Sequence, residues 1–459
     1  MDVGAHLADL RARQQRNWPE GIPREVTHPL GERPITDHLR HWAVHAPQRT
    51  AIVYYGTEIS YAELDELSDR FAGWLAEVGV RRGDRVGVLL PNCPQFVIAM
   101  MGILKHGAVH VPVNPMFRRH ELAHELTDAG VEVLVAATEL LPLVEEVRAG
   151  TPLREVLPTS PTDLLPAEPP LPLPAALRTP APGGQWHRVR AAPRAEQRES
   201  DLDALAALNY TGGTTGMPKG CQHTQRHMLY TAVTAGAARP PRRHRGPDVF
   251  LVHVPIFWIA GEDTGILVPI VHGATVVLLA RWDAEAVLRA VERYRVTDMI
   301  GTVDNYVELM AHPAFGHHDL SSVDNPRTMS FVRKLTPELR HRWAEAVGAH
   351  SVLREASYGM TETHTADTIT CGFAEDDRDL RSEPVFCGLP VPGTEFVVVD
   401  PGTEEPLPLG QRGEIRIRTP SLLTGYCGPG RAWPTSASPR TRFRHRAAPR
   451  CRCGSTPRR

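Results

Sequence analysis

The chain has 459 residues, of which 42% are hydrophobic and 23% charged, and its formal net charge is −2. That length gives room for two to four compact units with a large buried core, and the near-neutral charge argues against a dedicated nucleic-acid binder. Seven cysteines, odd in number and scattered, fit a reducing cytoplasm and no disulfide framework. Residues 1–20 mix acids with arginines and lack an apolar stretch, so they do not read as a signal peptide. No long charge-free run predicts a membrane span; 251–280 comes nearest and is interrupted by Glu262 and Asp263.

In chain order, 36–50 predicts a short helix with Leu39, Trp42 and Ala43 on one face, and 51–55 a strand. Ser60-Tyr-Ala-Glu63 is a capping box, and Leu64, Leu67, Phe71, Leu75 and Val78 follow at helical spacing, so 60–78 is expected to be an amphipathic helix ended by Gly79. A strand in 83–90, a helix from Pro94 to Gly107 and a strand in 108–113 make a βαβ unit, hence a parallel sheet with helices on its faces. A second unit follows, with a helix in 121–130 and a strand in 131–136. Between Pro158 and Pro193, ten of 36 residues are proline. Residues 152–200 are therefore expected to form a long, mobile surface connection.

A strand in 204–208 leads into Tyr210-Thr-Gly-Gly-Thr-Thr-Gly-Met-Pro-Lys-Gly220. Glycines let a backbone approach a ligand, threonine hydroxyls and bare N–H groups suit phosphate oxygens, and the lysine adds a mobile charge. The stretch reads as a loop around a polyphosphate. It is not a Walker A motif, because Pro218 precedes Lys219 and Gly220 follows it. A helix is expected over 223–238 and strands over 249–254, 274–279 and 296–300, with an amphipathic helix in 283–295. Thr336-Pro337 opens another helix. Tyr358-Gly-Met-Thr-Glu362 follows a strand in 351–353, and 396–400 and 413–418 read as two short strands of a β-rich part.

The 210–220 stretch resembles the phosphate loop of the adenylate-forming superfamily: acyl-CoA synthetases, luciferases and peptide-synthetase adenylation domains. Residues 358–362 resemble that superfamily's second core motif. Tyr61-Ala-Glu-Leu64, Gly83-Asp-Arg-Val86, Pro91-Asn-Cys93, Pro112-Val-Asn-Pro115 and Ser421-Leu-Leu-Thr-Gly-Tyr426 extend the likeness over 36–426. The resemblance implies an α/β fold: the large N-terminal domain of the adenylate-forming fold, with two parallel-sheet subdomains and a β-rich one. It implies that a carboxylate attacks the α-phosphate of ATP, giving acyl-AMP and pyrophosphate, and that CoA then takes the acyl group. It assigns Thr211, Gly212, Gly213, Thr214, Thr215, Gly216 and Lys219 to the ATP phosphates, with Tyr358, Gly359, Met360 and Thr361 completing the nucleotide site. Tyr358 would stack on adenine, Thr361 would donate to the α-phosphate, and Glu362 would bind Mg²⁺. Lys219, Thr361 and Glu362 would be the catalytic residues. Trp258, in Pro255-Ile-Phe-Trp-Ile-Ala-Gly261, would line the acyl pocket with Gly359; an uncharged indole there suits a fatty or similar apolar acid better than an α-amino acid. The alternative for Trp258 is a plain core tryptophan.

The likeness has departures. Ser330-Phe-Val-Arg-Lys-Leu335 stands where the superfamily has a small-residue turn against adenine. Residues 427–459 hold nine arginines and no Asp, Glu or Lys. The superfamily's Thr-Gly-Asp and its C-terminal domain, with a catalytic lysine, are not recognisable there. This tail is either a frame slip or truncated frame, or a genuine basic end. The chain divides into an extension over 1–35, the AMP-binding domain over 36–426 and the tail. Two readings follow: an acyl-CoA synthetase impaired by truncation, or an inactive remnant that binds ATP or an acyl group. The expected setting is cytoplasmic, with no nucleic-acid partner and room for peripheral membrane association.

Overall fold

The computed structural model describes residues 3–179, 181–196, 201–212, 217–240, 243–244, 246–383 and 385–427. A helix over Ile35–His45 leads to β1 (Thr50–Tyr54) and β2 (Thr57–Ser60). The Ser60 hydroxyl accepts from the Glu63 amide, and the Glu63 carboxylate accepts from the Ser60 amide at 2.8 Å, so the predicted capping box opens the helix Tyr61–Glu77. β3 (Arg85–Leu89), the helix Pro94–His106 and β4 (Val109–Pro112) form the expected βαβ unit. Gly107 closes that helix with a left-handed backbone at φ 79°.

β5 (Val133–Ala137), β6 (Glu155–Thr159), β7 (Leu205–Tyr210) and β8 (Gly220–Thr224) complete a six-stranded sheet in the order β6-β5-β3-β4-β7-β8. Its neighbours are parallel except β7 and β8, which form an antiparallel hairpin. β9 (Val249–Val252), β10 (Thr275–Leu278), β11 (Asp298–Thr302), β12 (Asn325–Met329) and β13 (Arg354–Glu355) join β1 and β2 in a seven-stranded sheet ordered β13-β12-β11-β9-β10-β1-β2. β14 (Thr368–Ile369) pairs with β15 (Leu389–Pro390), and β16 (Glu395–Val399) with β17 (Glu414–Arg418), as small antiparallel ladders. The architecture is thus α/β, with two largely parallel sheets and a small β-rich part.

The helix Pro94–His106 is buried at every position. A helix that is apolar on all sides has to be enclosed, and this one shares a single core with the helix Tyr61–Glu77 and with residues of both large sheets. Its ammonium is satisfied inside that core. Lys105 Nζ lies 2.6 Å from Asp65 Oδ1, 2.7 Å from Asp69 Oδ1 and 2.7 Å from the Asp65 carbonyl. Three acceptors use its three donors.

Two expectations need correction. The proline-rich stretch is not a loose connection: it supplies β6 and buries Leu164, Leu171, Leu177, Trp186 and Val189. Proline excludes regular helix but not burial, and Pro158 sits on an edge strand, where a missing N–H is tolerated. Its far end is pinned, because Arg194 reaches Asp69 at 3.0 Å and a Cβ on Gly73 would lie 1.9 Å from the Pro193 carbonyl oxygen. The second correction concerns 223–238. The chain leaves the glycine-rich loop as strand β8, and only then forms the helix Gln225–Ala237, capped by Thr224. Gly220 to Thr224 pairs with β7 instead of starting the helix, so the cross-strand partner overrides a stretch with no strand signal of its own. The extension over 1–35 carries a helix, Val3–Arg16, whose Leu7 packs on Val397 and Val399 of β16. Among the described residues no helix is long and apolar enough to cross a membrane.

Lys105→Met should destabilise the chain by about 1–3 kcal/mol in urea unfolding, because it removes the ammonium from the half-buried Asp65 and leaves the buried Asp69 with Arg194 alone; a loss under about 0.5 kcal/mol would contradict this role. A second expectation concerns pH. Burial pushes His38, His110, His227 and His253 down to about 4. Unfolded, they return to 6.5, so between those values the unfolded chain binds more protons and acidification lowers stability. Asp263 and Asp367, pushed up to about 7 by burial, oppose this by taking up protons in the folded state. Glu125 and Glu355, also pushed up by burial, oppose it too, while His223, held well below the ordinary value, joins the histidines, which still outnumber these acids. The thermal midpoint should fall from about pH 7 to about pH 5, and His110→Phe should reduce the fall; a midpoint indifferent to pH would contradict the account.

Candidate active site

The glycine-rich stretch is the tip of the β7–β8 hairpin. Where the sequence suggests a strand, a loop and a helix, both arms are strands. Thr211 N–H donates to the Lys219 carbonyl at 3.0 Å, and Lys219 N–H donates to Thr211 Oγ1 at 3.2 Å, so the two arms are tied at the mouth of the loop. A Cβ on Gly220 would lie 2.9 Å from Tyr210 Cζ, so a larger residue there would push the Tyr210 ring aside. Tyr210 itself donates to Asp128 at 2.8 Å. Gly212 and Lys219 are exposed and Thr211 is half-buried. A Cβ on Gly212 would meet nothing within 4 Å, which leaves its backbone open to a ligand. Gly213, Thr214, Thr215 and Gly216 lie outside the described residues.

The second motif is a turn. Tyr358 N–H donates to Thr368 Oγ1 at 2.8 Å, and the Tyr358 carbonyl accepts from Asp367 N–H at 2.7 Å. The Tyr358 ring is half-buried, edge-on to Phe396 at 6.0 Å between centroids. A Cβ on Gly359 would lie 2.5 Å from Ala366 N and 2.7 Å from Thr365 Cα, so the crossing of the protein's own backbone requires this glycine. Met360 precedes a single 3₁₀ turn, Thr361–Thr363, and its carbonyl accepts from Thr365 N–H at 2.9 Å. His364, Thr365 and Ala366 then follow with φ of 58°, 63° and 53°. Three successive non-glycine residues in the left-handed region are strained and persist only where the surroundings hold them.

The two motifs meet through a residue that sequence reasoning left out of the site. Lys219 Nζ stands 4.7 Å above the ring centroid of Tyr426, and Tyr426 OH donates to Glu362 Oε1 at 2.9 Å. Lys219 and Glu362 therefore face the same space from the two ends of one tyrosine. The segment around Tyr426 is held on the outer edge of β8. Gln222 N–H donates to the Gly425 carbonyl at 2.9 Å, and Cys427 N–H to the Gly220 carbonyl at 2.7 Å. Leu423 N–H donates to the Glu362 carbonyl at 2.8 Å. Burial and the neighbouring Glu362 carboxylate both push the Tyr426 phenol up, so it stays a donor at neutral pH. A tyrosine so far from either motif carries no local signal; the pairing on β8 brings it in.

Thr361 is half-buried and its side chain has no hydrogen-bond partner among the described residues, so its hydroxyl is available. Glu362 fits one kind of metal. Among the described residues no group of three or more His, Cys, Asp or Glu side chains gathers to hold an ion. A single carboxylate suits Mg²⁺, which keeps waters and is carried mainly by phosphates. Trp258 is 46% exposed and caps the short helix Ile259–Glu262, which removes the alternative of a plain core tryptophan. Behind it, Glu262 is fully buried and accepts from Asn209 Nδ2 at 2.9 Å. Tyr426→Ala should weaken binding of ATP with Mg²⁺ by about tenfold, and Tyr426→Phe by less. Titration calorimetry checks this, and unchanged affinity in the alanine variant would remove Tyr426 from the site.

The sequence profile of the AMP-binding enzyme family matches residues 39–427. A long-chain-fatty-acid–CoA ligase of Bacillus subtilis is 27% identical over 426 residues, covering 90% of this chain and 74% of that protein. A feruloyl-CoA synthase of an Amycolatopsis species is 31% identical over 386 residues, covering 83% of this chain and 69% of that protein. The crystal structure of a long-chain-fatty-acid–CoA ligase from Archaeoglobus fulgidus shares the fold, with a TM-score of 0.71, 21% identity and coverage of 89% of this chain and 78% of that one. The chain, with its hairpin loop and its Tyr358–Glu362 turn meeting at Tyr426, belongs to the AMP-binding enzyme family.

Proposed function

We propose that the chain activates an apolar carboxylic acid with ATP, forming an acyl-adenylate and pyrophosphate, and passes the acyl group to CoA. What supports the reading above all is the meeting of Lys219 and Glu362 across Tyr426, each end of which belongs to a different motif. The substrate carboxylate oxygen attacks the α-phosphorus, the bond to the bridging oxygen breaks, and pyrophosphate leaves. Lys219 supplies positive charge where negative charge gathers on the phosphates. The Thr361 hydroxyl donates to an α-phosphate oxygen, steadying the five-coordinate arrangement. Glu362 would hold Mg²⁺, which would supply positive charge against the phosphates. Positioning and charge neutralisation carry most of such catalysis. CoA's thiol then attacks the acyl carbon and AMP departs. The relatives named for fatty and ferulic acids, with the uncharged, exposed Trp258, favour an apolar acyl or aryl group. We assign the domain to 36–426.

Pyrophosphate exchange into ATP, measured with acids from acetate to long-chain and aromatic ones, tests the reading. Exchange with at least one apolar acid is expected, and Lys219→Ala should weaken ATP binding by about tenfold or more. ATP binding with no exchange for any acid would replace this reading with an ATP-binding remnant.

A further inference from the structure

The feature the reaction does not use is a cluster of buried histidines beneath the Thr361–Glu362 turn. His223 lies on β8, four residues after Lys219, and is fully buried. Its Nε2 donates to the main-chain carbonyl of Thr361 at 2.8 Å, while Nδ1 is buried without a partner. The ring therefore carries its one proton on Nε2 and is neutral. Burial, followed by the nearby His364 and His227, holds it well below the ordinary histidine value. His364 meets it edge-on, with centroids 4.8 Å apart, and His364 Nε2 lies 3.6 Å from Glu262 Oε1.

We propose that His223 is a positioning residue for the adenylation reaction, holding Thr361 and Glu362 at the height of the phosphates from the strand that directly follows Lys219. The inference rests on the function proposed above. The carbonyl that His223 grips belongs to the residue whose hydroxyl faces the α-phosphate. The next residue is the carboxylate for Mg²⁺. The turn is strained from His364 to Ala366, so it needs external ties; among the described residues His223 holds the Thr361 carbonyl from below and Leu423 N–H the Glu362 carbonyl, while Tyr426 holds the Glu362 side chain. An apolar residue would fill the same interior space and take away the hydrogen bond to the half-buried Thr361 carbonyl. A histidine in this place ties the two motifs without placing a charge between them.

The test compares His223→Leu, which fills the space without a donor, with His223→Gln, which keeps an N–H. His223→Met replaces the leucine variant should that one fail to fold. Exchange kinetics, ATP binding with and without Mg²⁺, and thermal midpoints are measured on each. The apolar variant should lose about tenfold to a hundredfold in kcat, with KM for the acid unchanged and a smaller gain in ATP affinity from Mg²⁺. The glutamine variant should recover most of both. Wild-type turnover and Mg²⁺ dependence in the apolar variant would overturn the proposal. So would equal losses in the apolar and glutamine variants in step with lowered midpoints, which would mean packing alone. If the wild type itself shows no exchange, the adenylation reading fails, and the Mg²⁺ dependence of ATP binding still decides the role of His223.

Discussion

The pairing of β8 on both of its edges is the constraint on which the rest depends. On one side it closes the hairpin with β7; on the other it receives the main chain around Tyr426. An edge strand presents a row of unpaired amides and carbonyls, and here the row is used by residues distant in sequence. One consequence is that Lys219, the residue just before the strand, stands over the Tyr426 ring. Another is that Tyr426 reaches Glu362. A third is that His223 reaches the Thr361 carbonyl from the interior. The strand links both motifs without contributing a side chain that touches substrate.

The scaffold behind β8 explains why this geometry holds. The helix Pro94–His106, apolar on every side and closed by Gly107, locks the two large sheets into one core. Lys105 binds it to the helix Tyr61–Glu77 through Asp65 and Asp69. The proline-rich segment packs over the same helix, so its many prolines stiffen a covering layer. Active sites of α/β sheets lie where strands end and connections diverge, and the hairpin and the Tyr358–Glu362 turn are both of that kind.

Much of this was legible in the sequence, for physical reasons that differ by element. The helix from Ser60 and the one from Pro94 announce themselves through a capping box, helical spacing and a closing glycine, all local signals. The glycine-rich loop and the 358–362 turn are legible because their residue types suit phosphate, and their resemblance to the adenylate-forming superfamily gave the fold. The strand β8 was hidden, because Gly220 to Thr224 has neither alternation nor a β-branched run, and its partners are supplied by topology. Tyr426, His223 and Glu262 were hidden for the same reason: their meaning lies in contacts across the fold. Gly359 shows a third case, where a correctly singled-out residue is required by a backbone crossing at 365–366.

The central claim is that the two motifs make a single site for ATP and Mg²⁺. A double-mutant cycle on ATP affinity at fixed Mg²⁺, using Lys219→Ala, Glu362→Ala and the pair, tests it most directly. Residues that share one ligand and one tyrosine should be coupled by about 0.5 kcal/mol or more. Effects that add to within about 0.3 kcal/mol would mean that Lys219 and Glu362 act independently, and the single-site account would be wrong.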